Sequence, residues 1–345
     1  MSHASQLDPS SETQAAYGGV VRMLTGHWTV QAIYVFAKLG IADRIGEQVV
    51  PAADLARDLA VDEASLFRIL RGLAATGLLH ARDDDAFALT PMGALLRSDV
   101  PDSLRDLAIM SGEEQYAGWG KLLDAVREGS SAFEQAHGAH LFEYLRNHPS
   151  AASTFDGAMV GLSGSLGNSV AEQLDMSRFQ QVVDLGGGRG VFLSRILHRH
   201  QHLNGIVFDL PHVAAGAGAY MGTQGLLDRC VAIGGDFFEE IPEDGDLYIF
   251  CQTLFNWSDE RVDVLLRGCR ERVEADGALV VVEQMIGEPS SPFAAMMDLQ
   301  MMAMPGGRVR TVAEYEGLLD AAGFDVTQRM SLAPLGATVL EARPR

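Results

Sequence analysis

Apolar residues recur at helical spacing between Tyr17 and Arg44, at Val20, Met23, Leu24, Trp28, Ile33, Val35, Phe36 and Leu39, and the pattern stops at Gly40. More than one face of this stretch is apolar, so a subunit interface is the sharper reading and an ordinary core helix the blander one. From Val50 to Pro91 the pattern predicts a helix (Ala52 to Leu59), a turn (Ala60 to Asp62), a second helix (Glu63 to Thr76) and two short strands around Asp83–Asp85. That order describes a winged helix. Between Pro101 and Met176 the chain reads as helical, with stops at Gly129, Gly138 and Pro149. Beyond Gln180 its character changes: runs rich in Val and Ile (Val182–Leu185, Gly205–Phe208, Leu247–Phe250, Ala278–Val282) alternate with amphipathic helices such as Arg261 to Ala275. Such alternation predicts α/β architecture, a parallel sheet covered on both faces, with the boundary near residue 175.

Charge removes one reading of the winged helix. The 345 residues carry 26 Lys and Arg against 46 Asp and Glu, a net charge of −20. Binding nucleic acid relies on Lys and Arg displacing counterions from phosphates, so no nucleic-acid partner is expected. Acidic residues at Asp54, Asp58, Asp62, Glu63, Asp83, Asp84 and Asp85 turn the winged helix into a packing module. The cysteines Cys230, Cys251 and Cys269 lie far apart, with no pair at metal-ligand spacing, which excludes a disulfide framework and a structural zinc site. Met1 to Glu12 lacks the order of a signal peptide, and no apolar run approaches the roughly 18 residues that span a bilayer. The expectation is a reduced, cytoplasmic protein with no membrane partner and no metal.

The chemistry concentrates in Val182-Val183-Asp184-Leu185-Gly186-Gly187-Gly188-Arg189-Gly190, an apolar strand running through a glycine turn into a helix (Val191 to Arg199). Glycine lets the backbone turn tightly and lets a ligand approach where a Cβ would collide. A dinucleotide fingerprint starting at Gly186 would need Gly or Ala at 191, which is Val191, so a nucleoside cofactor without a pyrophosphate fits better. Asp209 ends the next strand nineteen residues past Gly190, close to the roughly 20 expected for a carboxylate that accepts ribose hydroxyls. Asp236 follows the third strand beside Phe237, a carboxylate next to a ring, as an adenine amino group and face require. Each acid taken singly is as readily a loop cap. In this order, after this loop, they point to S-adenosylmethionine.

Four further blocks make a resemblance specific: Phe208-Asp209-Leu210-Pro211-His212-Val213, Gly235-Asp236-Phe237-Phe238, Asn256-Trp257-Ser258-Asp259-Glu260 and Met304-Pro305-Gly306-Gly307-Arg308. Together with Trp28-Thr29-Val30-Gln31-Ala32-Ile33-Tyr34 and the winged helix, the whole chain resembles the S-adenosylmethionine-dependent small-molecule O-methyltransferases, the plant caffeate-type and bacterial antibiotic-tailoring group. The resemblance implies a Rossmann-like class I methyltransferase domain (176–345), a mainly helical winged-helix dimerisation domain before it (1–110) and a helical linker forming an acceptor-pocket region between them (111–175). It implies a homodimer acting on a small-molecule acceptor. It places Gly186 and Gly188 at the cofactor's methionine end, Asp209 with Leu210 at the ribose, Asp236 with Phe237 at the adenine, and Cys251 near the methionine, where only a backbone contact would survive replacement of the usual Lys or Ser. Phe255, Trp257, Met159, Met297 and Met301 would wall the acceptor pocket, with plain core packing the alternative for each methionine.

The departures from that family lie at its chemistry. Relatives carry a histidine and an aspartate just before the tryptophan, whereas this chain reads Thr253-Leu254-Phe255-Asn256-Trp257, so the base position holds Phe255. One flanking acid survives as Glu283, and Val309 replaces the other. General base catalysis contributes about 10²–10⁴-fold, and alignment alone about 7–11 kcal/mol, so the reaction survives the loss at a reduced rate. An ordinary phenol, with a pKa of about 10, stays protonated at neutral pH. The expected acceptors are therefore an acidified phenol, an electron-rich ring carbon or a neutral amine. Three residues remain as catalytic candidates: Asn256, to orient the acceptor or to cap the helix starting at Ser258 or Asp259; Glu283, as a base or, preferably, as an ion-pair partner of Arg308; and His140, as a substitute base or a surface loop histidine. An apolar residue before Asn-Trp also occurs in the anthracycline methyltransferase and aclacinomycin hydroxylase branch. The alternative functions are therefore C- or N-methylation, non-methylating chemistry with a retained cofactor, and a winged-helix regulator that senses S-adenosylmethionine, the last opposed by the charge.

Overall fold

The N-terminal apolar stripe folds into helices Pro9–Leu24 and Gly26–Lys38, followed by the short helix Ile41–Ile45. Phe36, Ile41 and Ile45 enter a core with Leu55, Leu70 and Phe87. Tyr17, Val20, Met23, Leu24 and Trp28 stay uncovered, Met23 at 83% and Tyr17 at 75% exposure. The predicted pair of helices is present as Ala52–Leu59 and Glu63–Ala75, the second capped by Asp62, whose carboxylate accepts from the Ser65 amide at 2.8 Å. Strands β1 (Val50–Pro51), β2 (Leu79–Ala81) and β3 (Ala86–Leu89) form a small antiparallel sheet in the order β1-β3-β2, which completes the winged helix. These elements belong to one compact unit, Met1–Glu113; Glu114–Arg345 form a second. The computed structural model describes residues 9–287, 291–332 and 336–345.

The second unit begins with helices Glu114–Trp119, Leu122–Glu128, Ala132–His137, Leu141–Asn147 and the 25-residue Pro149–Gln173, interrupted at the predicted stops. Its sheet contains β4 (Gln181–Leu185), β5 (Asn204–Asp209), β6 (Cys230–Gly234), β7 (Leu247–Cys251), β8 (Ala278–Glu283), β9 (Phe324–Leu332) and β10 (Ala337–Pro344), in the order β6-β5-β4-β7-β8-β10-β9. Alternate residues feed two cores. Val182, Val207, Ile249 and Val280 face one, with helix residues Phe192 and Val170; Val183, Phe208, Phe250 and Val281 face the other, with Leu266 and Tyr315. This double burial explains the continuous apolar runs.

The parallel sheet expected from those runs forms, and an antiparallel pair extends it at one end. Strands β4 to β8 pair in parallel, but β10 runs antiparallel to both β8 and β9. A hairpin at the sheet's end needs no crossover helix, so the helix–strand alternation ceases there. Strand order reverses at β4, where the chain first builds outward through β5 and β6 and then returns to β7 on the other side. In open α/β sheets ligands bind at such a reversal, beyond the carboxyl ends of the strands. Among the described residues no helix is long and apolar enough to cross a membrane, and no group of three or more His, Cys, Asp and Glu is placed to hold a metal.

Candidate active site

Strand β4 delivers Gly186 to Gly190 to this edge, and the turn is possible because Gly186, Gly188 and Gly190 adopt φ of +74°, +58° and +78°. A Cβ built on Gly188 would meet nothing within 4 Å, so this side of the loop is an open cradle. Asp209, at the end of the adjacent β5, accepts from the Gly188 amide at 2.8 Å and, through its other oxygen, from the Leu210 amide at 2.7 Å. Each oxygen keeps lone-pair capacity for a further donor. Burial raises the Asp209 pKa, while the Gly188 and Leu210 amides work against that rise. Beneath the loop Asp184 is fully buried, its Oδ2 has no partner, and burial with the Asp209 charge pushes its pKa up to about 8. Asp236, past β6, accepts from the Phe238 amide at 2.9 Å. The edge therefore combines an open glycine cradle, a ribose-ready carboxylate and a carboxylate beside an aromatic ring. These residues fit S-adenosylmethionine, which when bound supplies an electrophilic methyl group on a sulfonium.

Trp257 joins this side of the site. Its ring lies edge-on to Phe237 (6.1 Å) and Phe238 (4.9 Å), and stacks on Phe142 at 5.5 Å and on His140 at 6.3 Å. Trp257 packs in a different apolar cluster from Met297 and Met301. Phe255 packs instead with Met301 and Val309, with Met297 and Ile286 against them. Phe255 and Val309 thus belong to one cluster. Met159 sits half-buried on helix Pro149–Gln173, outside that cluster. Cys251 ends β7, and burial raises its thiol pKa well above the ordinary value, so it stays neutral.

The loop after β7 forms a single 3₁₀ turn, Leu254–Asn256, entered through Gln252 at φ +55°. Glu283, at the end of β8, holds it. Its fully buried carboxylate accepts from the amides of Thr253 (2.9 Å), Leu254 (2.5 Å) and Phe255 (3.0 Å), and from the Tyr315 hydroxyl at 2.5 Å. Glu283 is therefore neither a free base nor the partner of Arg308, which pairs with Glu314 and Asp259. Arg310 is the buried cation. It pairs with Asp259 at 2.7 Å and donates to the carbonyls of Leu254 (3.3 Å) and Trp257 (2.8 Å). Asn256 does not cap the following helix, whose N-cap is Ser258; its amide donates back to the carbonyls of Thr253 (3.1 Å) and Gln252 (3.4 Å). His140 is half-buried, with Nε2 2.8 Å from the Pro305 carbonyl, so Nε2 carries the proton there. Gly307 is obligatory, because a Cβ there would stand 2.0 Å from the Phe255 carbonyl oxygen.

Sequence reasoning missed Arg310, Tyr315 and Gln252. The one available signal was Arg310 itself, a cation flanked by Val309 and an N-terminal cap at Thr311.

Comparison with known proteins accords with this geometry. An O-methyltransferase domain matches residues 119–325, and an O-methyltransferase dimerisation domain matches residues 21–99. The chain is 40% identical over 326 residues to a phenazine O-methyltransferase, PhzM, of Lysobacter antibioticus, covering 94% of this chain and 95% of that protein. It is similar to the crystal structure of LaPhzM, with a TM-score of 0.92 and 40% identity over 96% of this chain and 99% of the other. Human N-acetylserotonin methyltransferase, solved in complex with S-adenosylmethionine, superposes with a TM-score of 0.89 at 25% identity, covering 99% of each chain. The chain belongs to the O-methyltransferase family and is a methyltransferase that uses S-adenosylmethionine.

Proposed function

We propose that this enzyme methylates a hydroxyl oxygen of a small, flat aromatic secondary metabolite, as a homodimer, and that it does so without a side-chain base at position 255. The observation that carries the proposal is the apolar cluster of Phe255, Met301 and Val309, above a Glu283 whose oxygens are already engaged. Gly186 and Gly188 cradle the methionine end of the cofactor, Asp209 and Leu210 the ribose, and Asp236 with Phe237 the adenine. Phe255, Met297 and Met301 align the acceptor and exclude water. Alignment of this kind is worth about 7–11 kcal/mol. Because no side chain takes its proton, the acceptor brings an acidic hydroxyl of its own, such as a phenol beside a carbonyl or a ring nitrogen. The phenazine O-methyltransferase at 40% identity supports a flat aromatic acceptor. The uncovered face of Met23, Leu24 and Trp28, within the matched dimerisation domain for residues 21–99, supports a homodimer.

The test is a panel of hydroxyphenazines and hydroxyquinones graded in acidity, incubated with S-adenosylmethionine. One S-adenosylhomocysteine should form per methylated product, and the pH–rate midpoint should follow the acceptor's own pKa. Phe255→His should raise the rate on the least acidic member by less than about tenfold, well short of general base catalysis, because Glu283 and Val309 leave an imidazole unoriented. S-adenosylhomocysteine without methylated product, or a midpoint fixed across the panel, overturns the proposal.

A further inference from the structure

We infer that Glu283 is a positioning residue, an anion that gathers the amides of Thr253, Leu254 and Phe255 and so fixes, from one point, both the Phe255 and the Trp257 walls of the site. This rests on reading the 253–257 turn as part of the methyl-transfer site.

A buried carboxylate without a cation is tolerated only when its lone pairs are filled. Glu283 has about four such positions, and three backbone amides with the Tyr315 hydroxyl occupy them. At the opposite end of the same turn, Arg310 donates to the carbonyls of Leu254 and Trp257. Negative charge on the amide end and positive charge on the carbonyl end match the dipole of a helical turn. This pairing sustains a turn of only three residues, entered through the disfavoured φ of +55° at Gln252. Phe255 then leans on Met301 and Val309, and Trp257 on Phe237 and Phe238. One carboxylate thereby couples the acceptor wall to the cofactor wall.

Among the described residues, the Tyr315 phenol and the Cys251 thiol feel the Glu283 charge, and the Arg310 guanidinium acts on the same phenol. Burial keeps the phenol and the thiol neutral, so among these three the phenol donates and Arg310 supplies the positive charge. Burial pushes the Glu283 pKa up to about 7, against the four hydrogen bonds that favour the anion. The anchored turn therefore belongs to the ionised form and loosens as pH falls through that value.

The experiment uses the full-length protein carrying Trp28→Phe and Trp119→Phe, so that Trp257 is the fluorescent reporter, with S-adenosylhomocysteine as the probe in calorimetry. The parent should show a Trp257 emission transition near neutrality, with tighter binding on its alkaline side. Tyr315→Phe removes one donor to the anion and should move the transition upward by about one pH unit. Glu283→Gln should abolish the transition and weaken S-adenosylhomocysteine by about tenfold, because the amide nitrogen faces backbone donors. A Tyr315→Phe transition unmoved from the parent, or a Glu283→Gln protein with parental emission and affinity, overturns the inference. If Glu283→Gln fails to fold, Tyr315→Phe alone decides. A parent that binds no S-adenosylhomocysteine yet shows the transition defeats the reading of the site and leaves the role of Glu283 in the turn supported.

Discussion

The glycine loop with Asp209 and the turn from Thr253 to Trp257 lie at the same edge of one sheet and are held in opposite ways. Around the glycine loop, polar capacity is left over: Asp209 braces the Gly188 amide and keeps acceptor capacity beside an open cradle. Around the turn, side chains serve the main chain. Glu283 takes its amides, Arg310 its carbonyls, and Asn256 folds back onto Thr253. Polar groups at the turn are consumed in building it, and its Phe255 ring is left to pack with Met301 and Val309. On the proposed reading of the site, the cofactor half is therefore defined by polar chemistry and the acceptor half by shape.

The largest expected effect tests the turn. Gly307→Ala would place a methyl 2.0 Å from the Phe255 carbonyl oxygen, and the backbone must move; stability to urea should fall by about 3 kcal/mol or more. If stability is unchanged, the loop is not packed on the turn. Next comes the cofactor half. Asp209→Ala removes two hydrogen bonds from backbone amides and, on the proposed reading, the acceptor for the ribose, and should weaken S-adenosylmethionine about a hundredfold in calorimetry while leaving the turn's emission untouched. A loss below tenfold would mean the loop stands without its brace. The pH test concerns Asp184, whose folded pKa of about 8 lies well above the ordinary carboxylate range. The folded state thus holds a proton that the unfolded chain loses. This group's contribution favours folding at low pH and wanes as pH rises from about 4 to 8, by at most about 1.4 kcal/mol per unit. Asp184→Asn should flatten the decline of melting temperature over that window; an identical slope would show that Asp184 is ionised in the fold.

The legibility of the two halves in the sequence differs for the same reason. Asp209 ends a strand whose apolar run is plain and Asp236 follows the next strand, so spacing alone brings both to this edge of the sheet. The partners of Glu283 are main-chain amides some thirty residues earlier, and amides leave no mark in a pattern of side chains. Arg308 was therefore the only visible partner for that acid, and the wrong one. Strand β9 escaped as well. Its burial alternates weakly, with Gln328 and Arg329 exposed in succession, so neither a two-residue period nor a solid apolar run announces it. The winged helix was readable because its helices carry strong amphipathic spacing and a standard N-terminal cap at Asp62.

Because the groups that fasten the Thr253–Trp257 turn grip only its backbone, the identity of residue 255 is uncoupled from the survival of the scaffold. A lineage could exchange an imidazole for a phenyl ring there without refolding anything, then recruit acceptors that ionise by themselves. Inherited architecture and replaceable reactivity would thus be separated by a single hydrogen-bonded anchor, and diversification of chemistry would begin at the one side chain that anchor leaves free.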